Sequence, residues 1–251
     1  MGKTGTDVAK NAADMILADD NFVSIEEAVK NGRHIYENIK KAVHFLLSTN
    51  IGEIVVIFFG LLLGWETPLL AIQLLWVNLV TDSLPAIALG MEPADIDIMK
   101  KKPQNSKKSL FADGLGGKIF IEGTMIGILT LLAFSIGIKM YNLEVARTMA
   151  FTSLSILELI HSLNVRTEKS IFSTSMFKNL YLVGAIASGI LLQIIVTAIP
   201  PISKVFEVTS LNGIQWLIVS TISIMPIILI EAQKKLNEIK YGKTVFVRSN
   251  I

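Results

Sequence analysis

The sequence predicts an all-α, polytopic membrane protein built around a bundle of six transmembrane helices. Three observations carry that expectation. Of its 251 residues, 51% are hydrophobic and only 18% are charged, with a mean hydropathy of +0.56, a composition typical of multi-span membrane chains. Six apolar runs approach or reach the length that crosses a bilayer. The lysines and arginines collect in alternate connections between those runs, as expected for loops on one side of a membrane.

Residues 1–23 are soluble in character. Gly2-Lys3-Thr4-Gly5-Thr6 reads as loop, Asp7 to Leu17 as an amphipathic helix, and Ala18 to Phe22 as a turn. Ser24-Ile25-Glu26-Glu27 has the form of a capping box, with serine at the cap and glutamate three residues on. A proline-free helical pattern starts there and becomes the first span, 40–63. Such a helix is long enough to cross a membrane and project beyond it. A short turn, Gly64 to Pro68, leads to the second span, 69–89. A polar loop from Met91 to Asp113 carries Lys100, Lys101, Lys102, Lys107 and Lys108. The remaining spans are 119–141, 149–163, 180–199 and 214–230, and the chain closes on a basic stretch to residue 243 and a tail, 244–251. The loop 91–113, the loop 164–178 and the tail after 233 are rich in basic residues, whereas 64–68, 141–147 and 200–213 are nearly free of them. The alternation places both termini in the cytoplasm.

The net charge of +2 gives no reason to expect a nucleic-acid partner. With no cysteine, disulfides and thiolate sites are excluded. The three histidines form no helical metal pair, so a zinc or copper site is not expected. Gly2-Lys3-Thr4 lacks the upstream glycine-rich loop of a phosphate-binding turn. Gly2-Lys3-Thr4-Gly5-Thr6 has glycine where a phosphorylated-aspartate motif needs its nucleophile.

The informative residues are polar groups inside the spans. The second holds Asn78, Thr81 and Asp82, whose i, i+3, i+4 spacing puts them on one helix face. Pro85 removes a donor and clashes with the Thr81 carbonyl, loosening the helix there. The first span holds Asn50 and Glu53, again on one face, and the fourth holds Glu158, with His161 and Asn164 toward its end. Asn50 or Asn78 alone would serve as interhelical glue, and Thr81 alone as a hydroxyl bonded back to its own helix. Glu53, Asp82 and Glu158 are different, because a carboxylate at bilayer depth costs about 2.5–3.5 kcal/mol and marks a functional site. None has a lysine or arginine partner in its own span. Carboxylate, amide and hydroxyl oxygens suit Ca2+. Glu122 lies near Lys118 and is expected to be interfacial, as is Glu231.

With those residues in view, the chain resembles the C-terminal part of a P-type calcium-transporting ATPase, most of all the sarco/endoplasmic-reticulum type. Ser48-Thr49-Asn50-Ile51-Gly52-Glu53 is similar to the family's fifth membrane helix, and Gln73 through Asp82 to its sixth. Gly32-Arg33 through Lys40 resembles the stalk helix, and Pro93 to Met99 the loop that couples these helices to the phosphorylation domain. The resemblance implies that 1–23 is a remnant of an α/β phosphorylation domain and that 24–243 is the cation-transporting membrane domain. It implies that Asn50, Glu53, Thr81, Asp82 and Glu158 ligate one Ca2+, while Asn78 and Asp82 contribute to a second. Asp82 would be shared. The partners implied are the lipid bilayer and the rest of a pump, which carries the ATP and Mg2+ sites, the phosphorylated aspartate and four more membrane helices. A bacterial plasma membrane is the expected location. Ser83 departs from the glycine of the reticulum pumps and is less permissive of unwinding. Two alternatives stay open: a pump for Mn2+ or a monovalent cation, and a non-catalytic channel or regulatory protein.

Overall fold

The computed structural model describes all residues except 1, 3, 4, 96, 101–108, 112, 113, 169, 174, 175 and 249–251, and the backbone alone for 237–248. Lys101, Lys102, Lys107 and Lys108 therefore lie outside the described residues. The described residues form eight longer helices and two single-turn 3-10 helices, Ile98–Lys100 and Met176–Lys178, with no strand among them: α1 (Asp7–Asn11), α2 (Val23–Leu62), α3 (Ala71–Gly90), α4 (Leu115–Met140), α5 (Leu143–Arg166), α6 (Leu180–Ala198), α7 (Pro200–Val205) and α8 (Gly213–Arg248).

Five helices are long and apolar enough to cross a membrane: α2, α3, α4, α6 and α8 up to Leu236. The expected fourth span, 149–163, is present as a helix but is not among those five. It becomes the 24-residue α5, about 36 Å long, but not an apolar one. Thr148, Thr152, Ser153, Ser155, Glu158, His161, Ser162 and Asn164 are all buried in it. Nearly every side chain from Ala146 to Arg166 is enclosed by neighbouring helices. A helix that meets protein on all sides has no need of a lipid-facing apolar surface, so its apolar run, 149–163, is shorter than the helix. Its apolar members, Ala146, Ala150, Phe151, Leu154 and Leu157, join Val56, Ile126, Ala133, Phe134 and Ile222 in the main core.

The 40 residues of α2 extend about 60 Å. Its N-terminal half is largely exposed, and its C-terminal half packs on α4. The close approach is made by glycines. A Cβ on Gly123 would lie 2.5 Å from the Ser48 carbonyl oxygen, and one on Gly127 would lie 2.5 Å from Val55 Cγ1 and 2.9 Å from the Gly52 carbonyl oxygen. This is the small-residue spacing that lets membrane helices touch through their backbones.

Two local expectations at the start of the chain are corrected. The amphipathic helix expected over Asp7 to Leu17 stops at Asn11, where the backbone N–H of Ala12 still bonds back to Val8 and Lys10. Ser24 is not a cap: α2 begins at Val23 after Phe22, and the Ser24 hydroxyl donates to Asp19 Oδ2 instead. The Asp19-Asp20-Asn21 turn supplies the local acceptors, with Asn21 Oδ1 taking the Val23 N–H at 3.0 Å. That hydroxyl bond, with the Asn21 N–H, holds the Asp19 carboxyl below its ordinary range.

Candidate functional site

The site forms where α2, α3 and α5 meet. On α3, residues Val77–Asp82 are a π-helical segment within an otherwise α-helical span. Pro85 explains its place. Its ring would collide with the Thr81 carbonyl four residues back, and the wider π turn takes up that conflict without breaking the helix. The Ser83 hydroxyl donates to the Asn78 carbonyl at 3.1 Å, an i, i+5 contact in π register. This wider turn corrects the expectation that Asn78, Thr81 and Asp82 share one face. Thr81 and Asp82 are fully buried, whereas Asn78 is exposed.

Asn78 still reaches the site from its edge. Its Nδ2 donates to both oxygens of Glu53, at 2.8 and 2.9 Å. Glu53 is 9% exposed, and Asp82 and Glu158 are completely buried. The three carboxylates, one from each helix, are close enough that their charges act on one another. Among the described residues none of the three is ion-paired to a basic side chain. Asp82 Oδ1 and both oxygens of Glu158 have no hydrogen-bond partner. Buried acceptors without donors carry a large desolvation cost, which a cation at their centre would offset.

Two of the sequence candidates are occupied with their own helices. Asn50 Nδ2 donates to the Leu46 carbonyl at 2.6 Å and Thr81 Oγ1 to the Val77 carbonyl at 2.9 Å, the ordinary role of such groups in a helix. Their other lone pairs remain available in principle for a cation. The residue missed from sequence is Thr49. Its hydroxyl, fully buried, donates to Asp82 Oδ2 at 2.7 Å. Its i, i+4 spacing to Glu53 was the available signal.

A second polar cluster was also missed. Glu92, just past α3, accepts from Arg166 Nε and Asn179 Nδ2, both at 2.7 Å. Its backbone carbonyl takes Asn38 Nδ2 at 2.8 Å and meets His34 Nε2 at 2.5 Å. Arg33 donates to the Ile98 carbonyl at 3.2 Å. The loop after α3 is thus fastened to the projecting half of α2 and to the ends of α5 and α6. Asp95 and Asp97 themselves are exposed. Glu122 corrects the interfacial expectation: it is 2% exposed and bonded to His44 at 2.7 Å. Glu231, by contrast, accepts from the Ser170 hydroxyl and, at 3.0 Å, from the Ile171 N–H, and so secures the turn after α5.

Comparison with known proteins gives the family. Residues 66–236 match the family model described as cation transporting ATPase, C-terminus. The chain is 48% identical to calcium-transporting ATPase 1 of Bacillus cereus over 93% of its own length and 28% of the relative's. It is 47% identical to the calcium-transporting ATPase of Bacillus subtilis, and 39% to one from Listeria monocytogenes, each over 92% of this chain and 26% of the relative. It spans about a quarter of the length of these relatives. With the family model covering most of the chain and the helical bundle matching a membrane domain, this multi-pass membrane protein belongs to the family of C-terminal domains of cation-transporting ATPases.

Proposed function

We propose that this chain is the ion-binding membrane portion of an ATP-driven calcium pump, and that Ca2+ is its transported substrate. The observation that carries the reading is the convergence of Glu53, Asp82 and Glu158 from three helices, buried and without basic partners among the described residues. Oxygen ligands of this kind suit a hard divalent cation. The relatives named as calcium-transporting ATPases support Ca2+ over Mn2+ or a monovalent ion. Asn50, Glu53, Thr81, Asp82 and Glu158 would hold one ion, and Asn78 with Asp82 would contribute to a second. Thr49 orients Asp82 through its hydroxyl, and Asn78 orients Glu53.

Transport needs the ligands to change with the state of the pump. The exposed half of α2 continues without a break into the turn bearing Glu53, so a push on that half is delivered to a ligand. The Glu92–Ile98 loop, tied to α2 and α5, would move with it and act on α3. Residues 1–23 would belong to a phosphorylation domain whose remaining parts, with the ATP and Mg2+ sites, lie in the rest of the pump. The sequence here contains no Asp-Lys-Thr-Gly-Thr motif, so no phosphoryl-transfer step falls on its residues. The lysine-rich loops favour a cytoplasmic position for both termini, and the bacterial relatives favour a plasma membrane. The finer kinship with sarco/endoplasmic-reticulum pumps rests on the ligand pattern of 50–53 and 78–82.

Equilibrium Ca2+ binding to the full chain in detergent, with Asp82→Asn and Glu158→Gln beside it, tests the reading. Asp82→Asn is expected to abolish saturable binding, and Glu158→Gln to weaken it. Near-normal affinity in Asp82→Asn would refute the assignment.

A further inference from the structure

Three helices also converge one level away from the carboxylate site, toward the lysine-rich end of the bundle. His44 lies nine residues before Glu53 on α2, about 13 Å along the helix. His161 lies one turn beyond Glu158 on α5, and Glu122 faces both from α4. The sequence alone separates these three by 78 and 39 positions and offers no helical pair. In the fold, one ligand atom from each lies within 4.8 Å of the others, and all three residues are buried.

The cluster is incompletely satisfied. His44 Nε2 meets Glu122 Oε2 at 2.7 Å. His161 Nε2 stands 3.5 Å from the same oxygen and makes no hydrogen bond to it. His161 is fully buried, yet neither of its nitrogens has a hydrogen-bond partner. Its ring is held by Phe45, stacked at 6.3 Å, and by the edge of His44 at 6.2 Å. A buried imidazole with both nitrogens idle is costly, so a ligand is owed at this point in the core.

We propose that His44, Glu122 and His161 form a site for a divalent transition-metal ion of the zinc class, separate from the Ca2+ ligands. Two imidazoles and one carboxylate are the donor set of three-ligand zinc sites with an open fourth position. They are a poor set for Ca2+, which takes six to eight oxygens. Ligand bonds of about 2.0–2.1 Å at tetrahedral angles put donor atoms about 3.3 Å apart. The His161–Glu122 separation of 3.5 Å meets that requirement as it stands. The His44–Glu122 pair must open from 2.7 Å by about 0.6 Å, exchanging its hydrogen bond for two metal bonds. Lys118 lies 3.9 Å from Glu122 Oε1, the other oxygen, and leaves Oε2 facing the imidazoles. A cavity of about 490 Å³, lined by His34, Glu37, His44, Glu92 and Lys118 among others, gives a path to His44. The bound ion ties α2 to α4 and α5.

This site does not depend on the transport reading, since its ligands and its probe both differ. The test uses the full chain in detergent, free of any polyhistidine tag, equilibrated with Zn2+ or Co2+ in excess Ca2+. The expected result is one ion retained per chain and a tetrahedral Co2+ absorption spectrum. His161→Ala and Glu122→Gln each lower affinity by more than the roughly 10–100-fold that loss of an outer-shell partner brings, whereas Glu144→Gln, at the opposite end of α5, leaves it unchanged. Circular dichroism confirms that the variants are folded, and His44→Gln serves where Glu122→Gln is not. No retained metal in the unsubstituted chain overturns the proposal without recourse to any variant. So does binding that survives His161→Ala.

Discussion

Adding one methyl group to Gly127 is expected to separate α2 from α4. The new Cβ would lie 2.5 Å from Val55 Cγ1, 2.6 Å from Val55 Cβ and 2.9 Å from the Gly52 carbonyl oxygen. Ordinary contact for such atoms begins near 3.4 Å, so one helix must move by several tenths of an ångström. Val55 cannot yield by rotation alone, because its Cβ is fixed by the backbone of α2 and its β-branched side chain is stiff. Overpacking of this kind costs about 1–3 kcal/mol. Gly184→Ala is the control, since no atom lies within 4 Å of the Cβ it would add and it sits inside α6. There, replacing glycine in a helix is neutral to stabilising by up to about 1 kcal/mol. Gly127→Ala should therefore lower the unfolding midpoint, and Gly184→Ala leave it unchanged or raise it, when the full chain is titrated with a denaturing detergent and followed by circular dichroism. Equal midpoints for Gly127→Ala and Gly184→Ala would refute the backbone-contact account of the α2–α4 interface.

Two further outcomes are accessible to the same chain. Glu92→Gln removes the carboxylate that accepts from Arg166 Nε in a setting where both side chains are under 10% exposed, and should cost about 1.5–3 kcal/mol of stability; Glu66→Gln, whose pair with Arg147 is 3.5 Å long and 71% exposed on the glutamate side, should fall within about 1 kcal/mol of the unsubstituted chain. A similar loss in both would remove the distinction. The lowered pKa of Asp19 means that its support of the turn before α2 is complete above the ordinary value of 3.8 and is lost as pH falls through the lowered one. Ser24→Ala removes the largest cause and should move that loss to higher pH, read from the carboxyl carbon shift of Asp19; an unchanged titration would exclude the Ser24 bond.

Much of the bundle was legible in the residues themselves. Runs such as Ile54 to Leu63 and Leu180 to Ala198 are predominantly apolar and leave much of that apolar surface exposed, so length and hydropathy find them. The run 149–163 marked only the more apolar part of α5; its full length and its enclosure were not legible, because its threonines, serines and Glu158 are hidden by partners far away in sequence. Glu53, Asp82 and Glu158 stood out because an intramembrane carboxylate is expensive wherever it sits. Thr49 and Glu92 did not, because a threonine in a helix and a glutamate in a loop are ordinary until their partners arrive. Ser24 carried a capping pattern that the Asp19 turn overrode.

The sequence by itself determined that this chain spans a membrane several times and carries three costly carboxylates within its spans. Both are properties of single segments, set by the transfer cost of each side chain. Only the tertiary structure decided which groups meet. The π turn ahead of Pro85 carries Asn78 away from the face it would share with Asp82, yet Asn78 still reaches Glu53. The glycines of α4 bring its backbone against α2 closely enough for Glu122 to touch His44. Contacts between residues tens of positions apart depend on helix separation and rotation, which arise from packing and leave no periodic mark on the chain.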